Sequence, residues 1–261
     1  MIINAHAHVF PDKIAEKAVA GIGGFYNMHM ELDGTVAGLL RDGAEAGVDR
    51  FIIQSVATIP AQVESINNFI SQSVQQYPDK LIGFGAIHPG YEDPAREIDR
   101  VISLGLKGLK LHSDFQNFAM DDEKAFPIYE AAEGRLPILF HCGDTRSDLS
   151  SPERLMNVVK RFPKLTVIGA HFAGWSMWDR AAELFAHSGI YADCSSSLYA
   201  MSPVHAADLI RKIGADRVMW GTDYPMWSSK EELERFAKLP LTAEEKEMVL
   251  SGNALRLIGE A

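Results

Sequence analysis

Cysteine is nearly absent from this sequence. Cys142 and Cys194 are the only two in 261 residues. Two thiols cannot build a disulfide framework or a four-thiolate zinc site, so reduced cysteines in or near the core are expected. Long apolar runs are also missing. No stretch approaches the ~20 apolar residues needed to cross a bilayer, and no basic segment followed by an apolar one opens the chain. A membrane partner and a signal peptide are therefore not expected, and the cytoplasm is the expected location. Basic residues are in deficit, with 25 Lys and Arg against 35 Asp and Glu, a net charge of −10. That balance excludes the excess of cations on which nucleic-acid binding depends. No G-x-G-x-x-G follows the first apolar run, which argues against a dinucleotide site.

What is present is a regular alternation. Apolar runs of four to six residues recur between segments of helical period. The runs are Ile2 to His6, "RFIIQSVA", "LIGFGAIH", "LKGLKLH", "PILFHC", "LTVIGAH", "GIYADCS" and "RVMWGTDY". Helical segments follow nearly every one, several opening on a capping residue and proline: Asp93–Pro94, Ser151–Pro152 and Ser202–Pro203. "TAEE" near the end matches a capping box. "GIGGFYNMHMELDG" reads as a loop, and Pro127 should kink or shorten the helix in "DEKAFPIYEAAEG". Eight strands separated by helices imply right-handed crossovers and a parallel sheet. Eight such units in a chain of about 250 residues predict an α/β fold of a single (β/α)8 TIM barrel. No repeat, low-complexity tract or linker is visible, so one domain over residues 1–261 is expected.

The histidines fall in a pattern. Of nine, His6, His8, His88, His112, His141 and His171 lie at the C-terminal end of a predicted strand. In a parallel barrel that end is where active sites are built. Side chains two apart on a strand share a face. His6 and His8 should thus point together toward the barrel mouth, where two neutral imidazoles suit one divalent metal. His141, His171 and Asp223, at the ends of strands five, six and eight, are the candidates for the remaining ligands. An acid at the end of an apolar strand is costly unless paired or metal-bound. The alternatives are hydrogen-bonded core histidines and a turn acid before Pro225.

With H-A-H at 6–8, "FHCG" at 141, "GAHFAG" around 171, "WGTDYP" around 223 and "GNALRL" near the end, the chain resembles the amidohydrolase superfamily. The likeness is to the amidohydrolase-related branch that contains aminocarboxymuconate-semialdehyde decarboxylase. The resemblance implies that His6, His8, His141 and Asp223 hold one divalent metal, usually zinc, with manganese an alternative. It gives His171 the acid/base or polarising role and Asp223 the proton transfer. Lys110, the counterpart of a bridging lysine in binuclear relatives, is expected to be a pocket or structural lysine. Arg146, His29, Trp175 and Tyr224 are the expected substrate contacts for a small molecule. A homodimer is expected by analogy.

Two chemistries fit such a site. The first expectation is hydrolysis of an amide, lactone or ester by metal-activated water. The second is non-oxidative decarboxylation of an unsaturated or aromatic acid. A barrel that binds without turnover is the third.

Overall fold

In the computed structural model, which describes residues 1–260, eight parallel strands pair in sequential order. β1 spans Ile3–His8, β2 Arg50–Gln54, β3 Leu81–Ala86, β4 Gly108–Leu111, β5 Ile138–Phe140, β6 Val167–Gly169, β7 Tyr191–Asp193 and β8 Val218–Met219. The first and last strands then meet. The amides of Ala5, His8 and Asp223 donate to the carbonyls of Trp220 (2.9 Å), Tyr224 (2.7 Å) and His6 (2.9 Å). Ala7 and Tyr224 form a parallel bridge. The predicted (β/α)8 barrel is therefore observed.

Two apolar layers hold it. Inside the ring, Ile52, Ile82, Phe84, Leu139, Ile168 and Met219 pack across the lumen. A larger layer between strands and helices includes Phe51, Leu109, Phe140, Leu155 and Phe185. Their complete or near-complete burial is what closes the sheet: each such side chain contributes about 1.5–3 kcal/mol on leaving water.

The connections explain where loops reach the mouth. Helices α1 (Asp12–Tyr26) and α2 (Val36–Ala46) follow β1, and α3 (Val63–Gln76) follows β2. Thr35, Asp93 and Ser202 cap the helices they precede through side-chain acceptors. Ser151 begins Pro152–Arg161 without a side-chain cap. Thr242 and Glu245 form the expected capping box. Among the described residues, no helix is long and apolar enough to cross a membrane.

One local expectation is corrected and a second is made specific. The glycine-rich stretch is helical through Tyr26 and stops at left-handed Asn27. Gly23 lies on the buried face, where a Cβ would stand 2.8 Å from the Met28 carbonyl oxygen. Glycine here permits a close chain return rather than breaking the helix. Pro127 shortens the helix, as expected, rather than kinking it: the α-helix begins only at Phe126, after a 3-10 turn at Glu123–Ala125. The proline sits in the first turn of Phe126–Ala132, where a missing N–H is harmless.

Candidate metal centre

The mouth of the barrel gathers the residues that the strand ends supply. β1 is bulged between Asn4 and Ala7, which re-aims its side chains. The His6 and His8 Nε2 atoms come within 3.1 Å of each other. Asp223 Oδ1 lies 3.3 Å from His6 Nε2 and 3.4 Å from His8 Nε2. Ligands about 2.0–2.1 Å from a tetrahedral ion are separated from one another by about 3.4 Å. These three atoms therefore already stand at the edges of a coordination tetrahedron, and two imidazoles with a carboxylate fit a divalent metal.

Several features hold that arrangement. Asp223 adopts a left-handed backbone (φ 59°), and Ser196 Oγ donates to its Oδ2 at 2.7 Å. Gly221 lets β8 approach β1: a Cβ there would lie 2.9 Å from His6 Cβ. His6 Nδ1 donates to Asp193 Oδ2 at 2.9 Å, which leaves Nε2 bare for a metal. Asp193 also accepts from Ser195 Oγ and from the backbone amides of His171 and Ser195.

His141 stands beside this trio rather than within it. Among the described residues, three groups have ligand atoms within 4.8 Å of one another: His6, His8 and Asp223; His6, His171 and Asp193; and His112, Asp114 and His141, the one group that contains His141. Its ring stacks flat on His112, centroids 3.9 Å apart and 4° from parallel. Stacked parallel imidazoles cannot both aim in-plane lone pairs at one ion, so His112 and His141 do not form a second chelate in this arrangement.

A tautomer chain follows from the hydrogen bonds. His171 Nδ1 donates to the Ser195 carbonyl at 3.0 Å, so its Nε2 accepts from His141 Nδ1 at 3.1 Å. His141 is left with a bare Nε2, a ligand-competent nitrogen. His171, Phe172 and Ala173 all have positive φ, and this left-handed run sets His171 behind His141. Burial holds the imidazoles of His8, His112, His141 and His171 below their ordinary pKa, in the neutral form that ligates. Lys110, buried with Nζ 3.5 Å from His6 Nε2, is brought down to about 8 by the same desolvation.

The four residues expected to contact substrate are placed elsewhere. Arg146 clamps Asp144 with Nε and Nη2 (2.9 and 2.7 Å) and donates from Nη1 to the Phe25 carbonyl. Trp175 packs edge-on to Tyr26 and under Arg146. The Tyr224 hydroxyl donates to Asp33 and the Thr35 carbonyl, away from the metal trio. His29 lines a separate surface groove beside Asn27 and Glu31. A cavity of about 700 Å³ opens instead over His8, His112, His141 and Asp223, walled by Phe10, Tyr26, Phe115 and Met226. Tyr26 reaches into it, its hydroxyl 3.1 Å from His112 Nε2.

Asp193, Asp114, Ser195 and Ser196 were not foreseen. Asp193 could have been: it is a second acid ending an apolar strand, the signal that singled out Asp223. The Asp114 carboxylate, beside His112 and 4.0 Å from His141 Nε2, is buried without a hydrogen-bond partner.

The profile of the family described as Amidohydrolase matches residues 3–259. The chain belongs to the amidohydrolase family. It is 21% identical to the 2-amino-3-carboxymuconate-6-semialdehyde decarboxylase of Caenorhabditis elegans, over 98% of this chain and 94% of that one. Among solved structures, an uncharacterized TIM-barrel protein of Bordetella bronchiseptica superposes with a TM-score of 0.82 at 21% identity, covering 99% and 98% of the two chains. A 5-carboxyvanillate decarboxylase of Novosphingobium aromaticivorans, complexed with manganese and 4-hydroxy-3-methoxy-5-nitrobenzoic acid, gives 0.77 at 19% identity, covering 99% and 96%. Family membership makes this chain an enzyme of the amidohydrolase superfamily, with a group of residues at the barrel mouth that could hold a metal. The Caenorhabditis elegans and Novosphingobium aromaticivorans proteins are both named as decarboxylases.

Proposed function

We propose that this amidohydrolase is a non-oxidative decarboxylase of an unsaturated or aromatic carboxylic acid. The observation that supports it best is the placement of Asp223. One oxygen faces the two imidazoles of β1, and the side chain also lines a largely apolar cavity that suits a carbon skeleton. The relatives' names point the same way.

A divalent ion held by His6, His8 and Asp223, with the bare Nε2 of His141 at hand, would anchor the carboxylate and neutralise charge that develops beside it. Zinc and manganese both suit this donor set. Against the effect of burial, the neighbouring imidazoles of His6, His171 and His8 hold the Asp223 carboxyl well below its ordinary range, so it must first take up a proton from solvent, which it then passes to the carbon that bears the carboxylate. A C–H bond forms, the C–C bond breaks, and its electron pair remains with the unsaturated system while CO2 leaves. No oxidant is consumed. His171 does not line the cavity; it acts through His141, fixing that ring's tautomer. Phe10, Phe115 and Met226 keep water from the reacting carbon.

The test is CO2 release from hydroxylated benzoic and unsaturated acids by metal-loaded protein in sealed, oxygen-free vials. Release that stops with chelator supports the reading. Ester or lactone cleavage with no CO2 from any acid overturns it in favour of hydrolysis.

A further inference from the structure

The cavity over the metal trio does not end at the metal. It runs outward as a trough between α1 and α3, lined by Ile14, Ala18 and Ile22 on one side and Ile66 and Phe69 on the other. The spacing on α1 places Ile14, Ala18, Ile22 and Phe25 on one helical face. The neighbouring face, with Ala15, Val19 and Gly23, is the one buried. α1 therefore presents a second apolar stripe that the chain leaves largely uncovered: Ile14 is 51% exposed, and Phe25 is 41% exposed even with Arg146 and Phe115 against its ring. Uncovered aliphatic surface continuous with a reaction site calls for an apolar partner. Lys17 is the one lysine or arginine along the whole lining. The trough thus has little to offer a multiply charged ligand.

We infer that the substrate carries an extended apolar substituent, an alkyl chain or a further ring, which lies in this trough while its carboxylate faces His8 and Asp223. The inference rests on the carboxylic-acid reading above and narrows it. A single-ring acid would fill only the inner end of a cavity of about 700 Å³. The remainder is lined mainly by apolar side chains, with Lys17, Thr58, Gln62 and Ser65 among them, and suits methylenes.

Gly21 supplies a probe of this assignment. It lines the trough, and a Cβ built on it meets nothing within 4 Å. Gly21→Trp fills that space from a helix position where leaving glycine favours the fold. The experiment measures calorimetric binding of benzoate, 4-butylbenzoate and 4-octylbenzoate to the manganese-loaded protein. Affinity should rise by about threefold for each methylene that becomes buried. The ratio of the benzoate to the 4-octylbenzoate dissociation constant should exceed about thirtyfold on that scale. In Gly21→Trp it should fall below about threefold, with manganese content showing that the variant is folded. A flat series in the unmodified protein overturns the inference, whether or not the variant folds, and so does a gain that survives Gly21→Trp. CO2 release from the 2-hydroxy counterparts is scored separately. A steep series without CO2 refutes the decarboxylase and upholds the trough; CO2 with a flat series does the reverse.

Discussion

Asp193 grips His6 from behind, Oδ2 to Nδ1 at 2.9 Å, with both side chains fully buried. The carboxylate fixes which ring nitrogen is protonated and so which one faces the metal position. Asp193→Asn keeps the shape but can offer its amide N–H to Nδ1, favouring the wrong tautomer. Metal affinity should fall by about 10- to 100-fold. Competitive chelator titration followed by elemental analysis measures it.

Asp223→Asn removes both a ligand and the proton carrier. Residual metal should be reduced, and kcat at saturating metal should drop by about 10²–10⁴-fold. His171→Ala should instead retain most metal at His6, His8 and Asp223 while slowing turnover, because it frees His141 and takes from the trio only a ring stacked on His6, which Asp193 still holds. Metal content and rate, measured together on both variants, separate the roles. Equal metal loss in the two would refute the division.

Gly221→Ala tests the close approach of β8 to β1. Its methyl would stand 2.9 Å from His6 Cβ, so one strand must move. Loss of stability by about 1–3 kcal/mol is expected, together with weakened metal binding. Urea melts of the metal-free protein isolate the packing term.

Arg146 and Tyr224 should prove structural. Arg146→Ala leaves the buried Asp144 carboxylate without its cation, and Tyr224→Phe leaves Asp33 one donor short. About 1–3 kcal/mol for the first and 0.5–1.5 kcal/mol for the second should be lost. KM for the acid should change less than about twofold, far below the loss of a charge-assisted anion contact. Thermal melts and steady-state kinetics give the two readouts.

Glu232 gives a pH signature away from the site. Its Oε1 pairs with Arg235, but Oε2 is buried without a partner, and burial raises the carboxyl to about 7. The folded state then binds more protons than the unfolded state from about pH 4.5 to 7, so this group's contribution to stability is complete in acid and lost as pH rises. Relative to the unmodified protein, Glu232→Gln should gain up to about 3 kcal/mol between pH 5 and 8. Denaturant midpoints at the two pH values test it.

The barrel was legible because its strands are short apolar runs bounded by caps and prolines, such as Asp93–Pro94 and Ser202–Pro203. Periodicity at that scale survives without knowledge of contacts. His6, His8 and Asp223 were legible for a related reason, since polar side chains ending apolar strands must be satisfied at the mouth. Arg146 and Tyr224 were misplaced because loop position says nothing about which neighbour claims a side chain; Asp144 and Asp33 do so here. The helical Gly21–Tyr26 segment was hidden by its glycines, whose role in a close chain return depends on Met28.

The candidate metal donors His6, His8 and Asp223 lie far apart along the polypeptide, and the Asp223 amide is tied to the His6 carbonyl. An assembly of β1–β7 alone would own His6 and His8 without Asp223, so this trio is incomplete until the last strand joins the first. A cation held by His6, His8 and Asp223 would work as a clasp on that seam, and would stabilise the closed ring by RT ln(1 + [M]/Kd).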